Sequence, residues 1–137
     1  QSRISGPLLD RIDLRVRVPQ LKHETLTQLE RQPNRLEDVQ ALREQVDAAR
    51  SRQLDRQGRT NSWLDAKRLR IEMTQANLSK DFLTKILQQF QLSARSYHKV
   101  WRIARTIADL DNSQNITQPH LIEALGFRSL PWEQGVK

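Results

Sequence analysis

Ser93-Ala-Arg95-Ser-Tyr97-His-Lys99-Val100-Trp101-Arg102-Ile-Ala104-Arg-Thr-Ile107-Ala108-Asp-Leu110 reads as one long helix. Ser93 is a good N-cap, because its hydroxyl can accept a free N–H of the first turn. Ala94, Tyr97, Val100, Trp101, Ala104, Ile107 and Ala108 cover one broad side. Arg95, Lys99 and Arg102 fall within an arc of about 60° on the charged side, at 100° per residue. An apolar side that wide must be buried against other elements.

Similar patterns lie on both sides. Upstream, Ser79 begins a helix whose dense apolar face is Phe82, Leu83, Ile86, Leu87 and Phe90. Downstream, Thr117 caps a last helix, with Pro119 tolerated in its first turn and Gly126 as its stop. Earlier, Asn34 caps a helix from Arg35 to Gln57. Its apolar positions Leu36, Val39, Leu42, Val46, Ala49 and Leu54 form a single stripe. Gly58 and the polar run to Asn61 break that pattern. A shorter helix is predicted over Ser62–Arg70 around Trp63, Leu64 and Leu69. The pattern is that of an all-α bundle of four to five helices over residues 34–128, followed by a tail at 129–137.

The N-terminal stretch differs. In Gly6-Pro7-Leu8-Leu9-Asp10-Arg11-Ile12-Asp13-Leu14-Arg15-Val16-Arg17-Val18, a Gly-Pro turn leads into strict alternation. Ile12, Leu14, Val16 and Val18 share one face, which predicts a strand. A lone strand cannot pair its own backbone, so this one is expected to be the torn edge of a sheet lying upstream. The chain also begins at Gln1 rather than Met. The expectation is a fragment: residues 1–18 the remnant of a larger core, 19–33 a connector with a short helix near Thr25–Glu30. Without sheet partners, residues 1–18 should be poorly ordered.

With 137 residues the chain is long enough for one modest domain with a real core. It has no cysteine, which excludes disulfides and thiolate metal sites and fits a cytoplasmic setting. No apolar run approaches the ~18–20 residues of a membrane span. The net charge of +7 attracts polyanions. The cations are interleaved with Asp and Glu rather than massed. Two readings therefore stay open: a solvated, slightly basic helical surface, or a nucleic-acid contact.

Few side chains point to chemistry. Arg95 projects from the first turn of its helix beside free backbone N–H groups, where guanidinium and helix dipole both favour a phosphate. A solvent-exposed helix-end arginine is the alternative. Arg11, held at the start of the strand by the turn at Pro7, can reach across an interface to phosphates, or can pair locally with Asp10 or Asp13. Arg43 and Arg50 flank the stripe of the first long helix, where snorkelling or a carboxylate partner is expected. His23, His98 and His120 show no metal-ligand spacing. There is no nucleophile–His–acid arrangement and no Gly-rich phosphate loop with its Lys.

Two local patterns carry a resemblance. Gly6-Pro7-Leu8-Leu9-Asp10-Arg11-Ile12-Asp13-Leu14 resembles the arginine-finger segment of the Mg-chelatase-like AAA+ ATPases. Leu92-Ser-Ala-Arg95-Ser-Tyr97-His-Lys-Val100 with Ile103-Ala-Arg105-Thr-Ile-Ala-Asp109-Leu110 resembles their sensor-2 helix. Val46-Asp-Ala-Ala49-Arg50-Ser-Arg-Gln53 with Asn61, and His120-Leu-Ile-Glu-Ala-Leu-Gly-Phe-Arg128, look like the same family's C-terminal domain. Ser62 departs from the small alanine of that pattern. Within the family the likeness is strongest to the bacterial competence-protein type.

The resemblance implies the helical lid of an oligomeric ATPase that works on DNA. Arg11 would be the finger completing a neighbour's ATP site, and Arg95 the nucleotide-binding sensor-2 arginine. ATP and Mg2+ would be bound by the parent protein, and none by this fragment. Ring assembly would proceed through the parent, with the isolated fragment a monomer without ATPase activity or membrane attachment. An ATPase subunit of a true Mg chelatase, and a free-standing basic helical DNA-binding module, remain as alternatives.

Overall fold

The computed structural model describes residues 6–30 and 36–128. Within them lie seven α-helices. These are α1 (Gly6–Arg11), α2 (His23–Glu30), α3 (Leu36–Gln57), α4 (Ala66–Ala76), α5 (Lys80–Phe90), α6 (Ala94–Leu110) and α7 (Gln118–Gly126). A 3-10 turn, Asn61–Trp63, joins α3 to α4. Five of the helices, α3 to α7, fall where the sequence predicts four to five.

The helix starts follow their caps. The Asp65 carboxylate accepts the Arg68 N–H, Ser79 Oγ accepts the Phe82 N–H, and Ser93 Oγ accepts the Ser96 N–H. Each satisfies one donor that the first turn leaves free. At Thr117 the cap runs the other way, its backbone N–H donating to His120 Nδ1 at 3.0 Å. Gly58, at φ 72°, closes α3 in the left-handed region that glycine enters without a Cβ clash. Asn77 and Gln91 do the same after α4 and α5.

The core centres on α6. Val100, Trp101, Ala104 and Ala108 are buried there against Leu64, Leu69 of α4, Ile86 of α5, Ile116, and Leu121, Ala124 and Leu125 of α7. Tyr97 meets the Trp101 ring edge-on at 6.2 Å. Alanines at 104 and 108 let α7 approach α6 closely, which is why so few aromatics suffice.

Three regions depart from expectation, the first being the N-terminal stretch. The Gly-Pro stretch is not a turn: Gly6–Arg11 is helical, and Pro7 in a first turn gives up no needed hydrogen bond. There is no strand among the described residues; 14–22 carry no regular secondary structure, because alternation without a ladder has nothing to pair with. Within it, the Arg15 N–H donates to the Phe127 carbonyl at 2.8 Å.

The second correction concerns α3. Its helix forms as predicted, but most of its described stripe is not buried: Val39, Leu42 and Val46 are each about half exposed, and among the described stripe positions only Ala49 is in the core. The first half of α3 runs past the bundle; Gln45 donates to the carbonyl of Leu110, the last residue of α6. Third, the predicted helix over 62–70 is divided. Asp65 restarts the chain as α4, and Trp63 is left outside. The predicted Asn34 cap and the 129–137 tail lie outside the described residues.

Trp101→Ala is expected to cost about 3–5 kcal/mol, the range for emptying a buried aromatic site. Leu42→Ala should stay within about 0.5 kcal/mol, as exposed positions do. Urea unfolding followed by circular dichroism checks both; equal losses would contradict the overhang of α3.

Candidate functional site

The charged side of α6 was expected to present Arg95, Lys99 and Arg102 together. Lys99 is instead buried, its Nζ 2.7 Å from the Asp13 carboxylate. The Arg102 Nε donates to the Leu64 carbonyl at 2.8 Å. Arg95 is exposed and makes no hydrogen bond or ion pair among the described residues. Of that face, one guanidinium is left for a ligand.

Arg11 ends α1 and is exposed, again with no hydrogen bond or ion pair among the described residues. Asp13, one of the two local partners expected for it, is taken by Lys99. Arg128 then brings the two candidate arginines to one place. Its guanidinium donates to the Ile12 carbonyl and, through Nη2, to Ser96 Oγ at 3.1 Å. Ile12 follows Arg11 and Ser96 follows Arg95, so a single buried guanidinium links the Ile12 backbone to the Ser96 side chain at the start of α6. The Arg15 side chain closes the knot by donating to the Arg128 carbonyl at 2.8 Å.

Sequence reasoning gave Arg128 no role; its place at the end of the last predicted helix was the available signal. Arg43 and Arg50 are exposed and reach no carboxylate among the described residues. The next cations on α3 do that work. Arg56 forks onto Asp109, Nη1 to Oδ1 at 2.7 Å and Nη2 to Oδ2 at 3.0 Å. Arg52 donates to the Asp109 carbonyl at 2.6 Å. Asn61 donates to the same carboxylate at 2.8 Å and to Thr106 Oγ1 at 3.1 Å, while its backbone N–H is taken by Gln53.

Arg105 completes the cluster. It pairs with Asp109 one turn on and with Glu72 of α4, each at 3.1 Å, and donates to the carbonyls of Ser113 and Gln114. Arg105 and Asp109 are both 1% exposed, so these charges are held in the dry interior and matched there. The Ala-Arg-Thr-Ile-Ala-Asp run of α6 is therefore scaffold, apart from Arg95 at its head. Among the described residues no group of histidines and carboxylates could hold a metal ion. No helix there is long and apolar enough to cross a membrane.

Residues 36–128 match the family model described as magnesium chelatase, subunit ChlI C-terminal. Over 129 residues, 94% of this chain, the sequence is 40% identical to the competence protein ComM of Haemophilus influenzae. It is 36% identical to the uncharacterized protein YifB of Escherichia coli and 30% to that of Salmonella typhimurium, over the same share. The chain spans about a quarter of the length of these relatives, 25% of each.

Arg95→Ala should change unfolding free energy by less than about 0.5 kcal/mol, since the side chain is exposed. Arg128→Ala should cost about 1–3 kcal/mol by orphaning the groups it satisfies. It should also speed amide exchange at Arg15. Hydrogen exchange with denaturant melts of the two variants checks this; a large loss for Arg95→Ala would make it scaffold.

Proposed function

This chain belongs to the family of the magnesium chelatase subunit ChlI C-terminal domain, and on that footing we propose that it is the helical lid of an oligomeric AAA+ ATPase whose turnover drives DNA processing. Arg11 is the finger and Arg95 the sensor-2 arginine. The observation that carries this is the sorting of cations at the start of α6: Lys99, Arg102 and Arg128 are committed to the fold, while Arg95 and Arg11 are exposed without a hydrogen bond or ion pair among the described residues, each beside a residue that Arg128 holds.

The site suits a polyphosphate. Ser93 satisfies the N–H groups of Ser96 and Tyr97, which leaves those of Ala94 and Arg95 at the exposed helix start, beside the Arg95 fork. A guanidinium there neutralises charge that grows on phosphate oxygens during transfer. Because Arg128 links the residues that follow them, both arginines address one nucleotide in this reading, that of the neighbouring subunit if Arg11 acts in trans.

In this reading ATP and Mg2+ are bound by other parts of a longer protein, which assembles into a ring in the cytoplasm. The 40% identity to a protein named for competence supports the DNA-directed reading. The family's description favours a second one, an ATPase subunit of a magnesium chelatase.

In the full-length protein, Arg11→Ala is expected to leave ATP binding nearly intact and to lower hydrolysis by about 10³-fold or more, since a finger acts on transition-state charge. Mixing it with a subunit that cannot bind ATP should restore part of the rate. Hydrolysis at the parental rate in both Arg11→Ala and Arg95→Ala would overturn the assignment.

A further inference from the structure

Trp63 is 70% exposed on the 3-10 turn. A large aromatic left in water forgoes the stabilisation its burial would give, so its position calls for a reason. Flexibility does not supply one. The two residues that bracket its segment are fixed: Asn61 is buried in the Asp109 cluster, and Leu64 is in the core with its carbonyl held by Arg102. The Gln57 side chain pins the Arg59 carbonyl at 2.9 Å. The turn is a rigid mount, and what it presents is an indole.

Cations surround that indole. The Arg59 guanidinium lies 5.7 Å from the ring centroid, a cation–π placement. It has no carboxylate partner among the described residues. Arg68 reaches only the Arg56 carbonyl, at 3.3 Å, and its Nε is buried with no hydrogen-bond partner among the described residues. Both arginines line, with Trp63, an open cleft of about 590 Å³. Asp55 and Asp65 also line it, and Asp65 is engaged in capping α4.

We propose that this cleft binds single-stranded nucleic acid, an unpaired base stacking on Trp63 while Arg59 and Arg68 meet the flanking phosphates. The chemistry selects the partner. A flat π-face takes any base, and guanidiniums with no carboxylate partner beside it take the backbone that follows. A duplex hides its base faces and could use only the cations. The chain's charge of +7 favours any such polyanion. The inference rests on the nucleic-acid part of the function proposed above and is independent of its ATPase part.

Fluorescence anisotropy of this chain with a labelled oligothymidylate of about 15 nucleotides tests it, within the site sizes of known stacking grooves. Trp63→Leu should weaken binding about 5- to 150-fold, the range for losing one stacked base. Trp63→Phe, which keeps a π-face, should recover most of that. Arg59→Ala should lower the slope of log affinity against log salt by about 0.7, one phosphate's worth on a single strand.

Unchanged binding by Trp63→Leu would overturn the proposal and leave the indole to a protein partner. Equal losses for the Leu and Phe variants, or the same dependence on Trp63 for a duplex, would also overturn it. Arg59→Glu serves should Trp63→Leu alter the thermal melt, and binding within twofold of the parent would count against the site. None of these failures touches Arg11 and Arg95, because oligonucleotide binding here needs no ATP.

Discussion

The carboxylate of Asp109 is the point from which the rest of the fold hangs. It lies on the last turn of α6, 1% exposed, and three partners from three elements converge on it: Arg56 of α3, Asn61 of the 3-10 turn, and Arg105 of its own helix. Arg105 carries the linkage on to Glu72 of α4. Desolvating such charges is expensive, and only near-complete pairing offsets it. That demand leaves little freedom in how α3 and α4 sit on α6. Apolar packing alone, with small residues at 104 and 108, would tolerate more arrangements.

The same economy explains which cations remain available. Arginine is frequent in this chain, and most of the arginines around α6 are spent inside it: Arg52 and Arg56 on Asp109, Arg102 on Leu64, Arg105 on Glu72, Arg128 on Ile12 and Ser96. Of the arginines that remain exposed, three lie beside a candidate site. Arg11 and Arg95 share the start of α6, and Arg59 lies over Trp63 at the far side of the 3-10 turn. The first pair suits a terminal phosphate. The second suits a base and its backbone.

Local rules were legible in the sequence, and assembly was less so. Ser79 and Ser93 announced their helices because a cap is a property of a few neighbouring residues. Gly58 announced the end of α3 for the same reason. The alternation of Ile12 to Val18 misled, because a strand is defined by a partner that periodicity cannot supply. The stripe of α3 misled in another way: helical spacing shows that one face is apolar, but not how far the rest of the bundle extends along it. The Asp109 cluster left one readable trace. Arg105 falls about 40° from Trp101 on the helical wheel, inside the apolar side, and Asp109 follows it by one turn. A charged pair spaced for an ion pair and placed among core positions signals a buried salt bridge. Its more distant partners, Arg56 and Asn61, could be named only from the fold.

The most direct test is a double-mutant cycle on Arg56→Ala and Asp109→Ala, read as unfolding free energies in urea. The account predicts that Asp109→Ala alone costs about 3–5 kcal/mol, the cost of stranding buried cations. It predicts a coupling between the two sites of about 1–3 kcal/mol, since each loss includes the partner's. Additivity within about 0.5 kcal/mol would show that the two side chains do not share an energetic unit, and would contradict the central place given to Asp109.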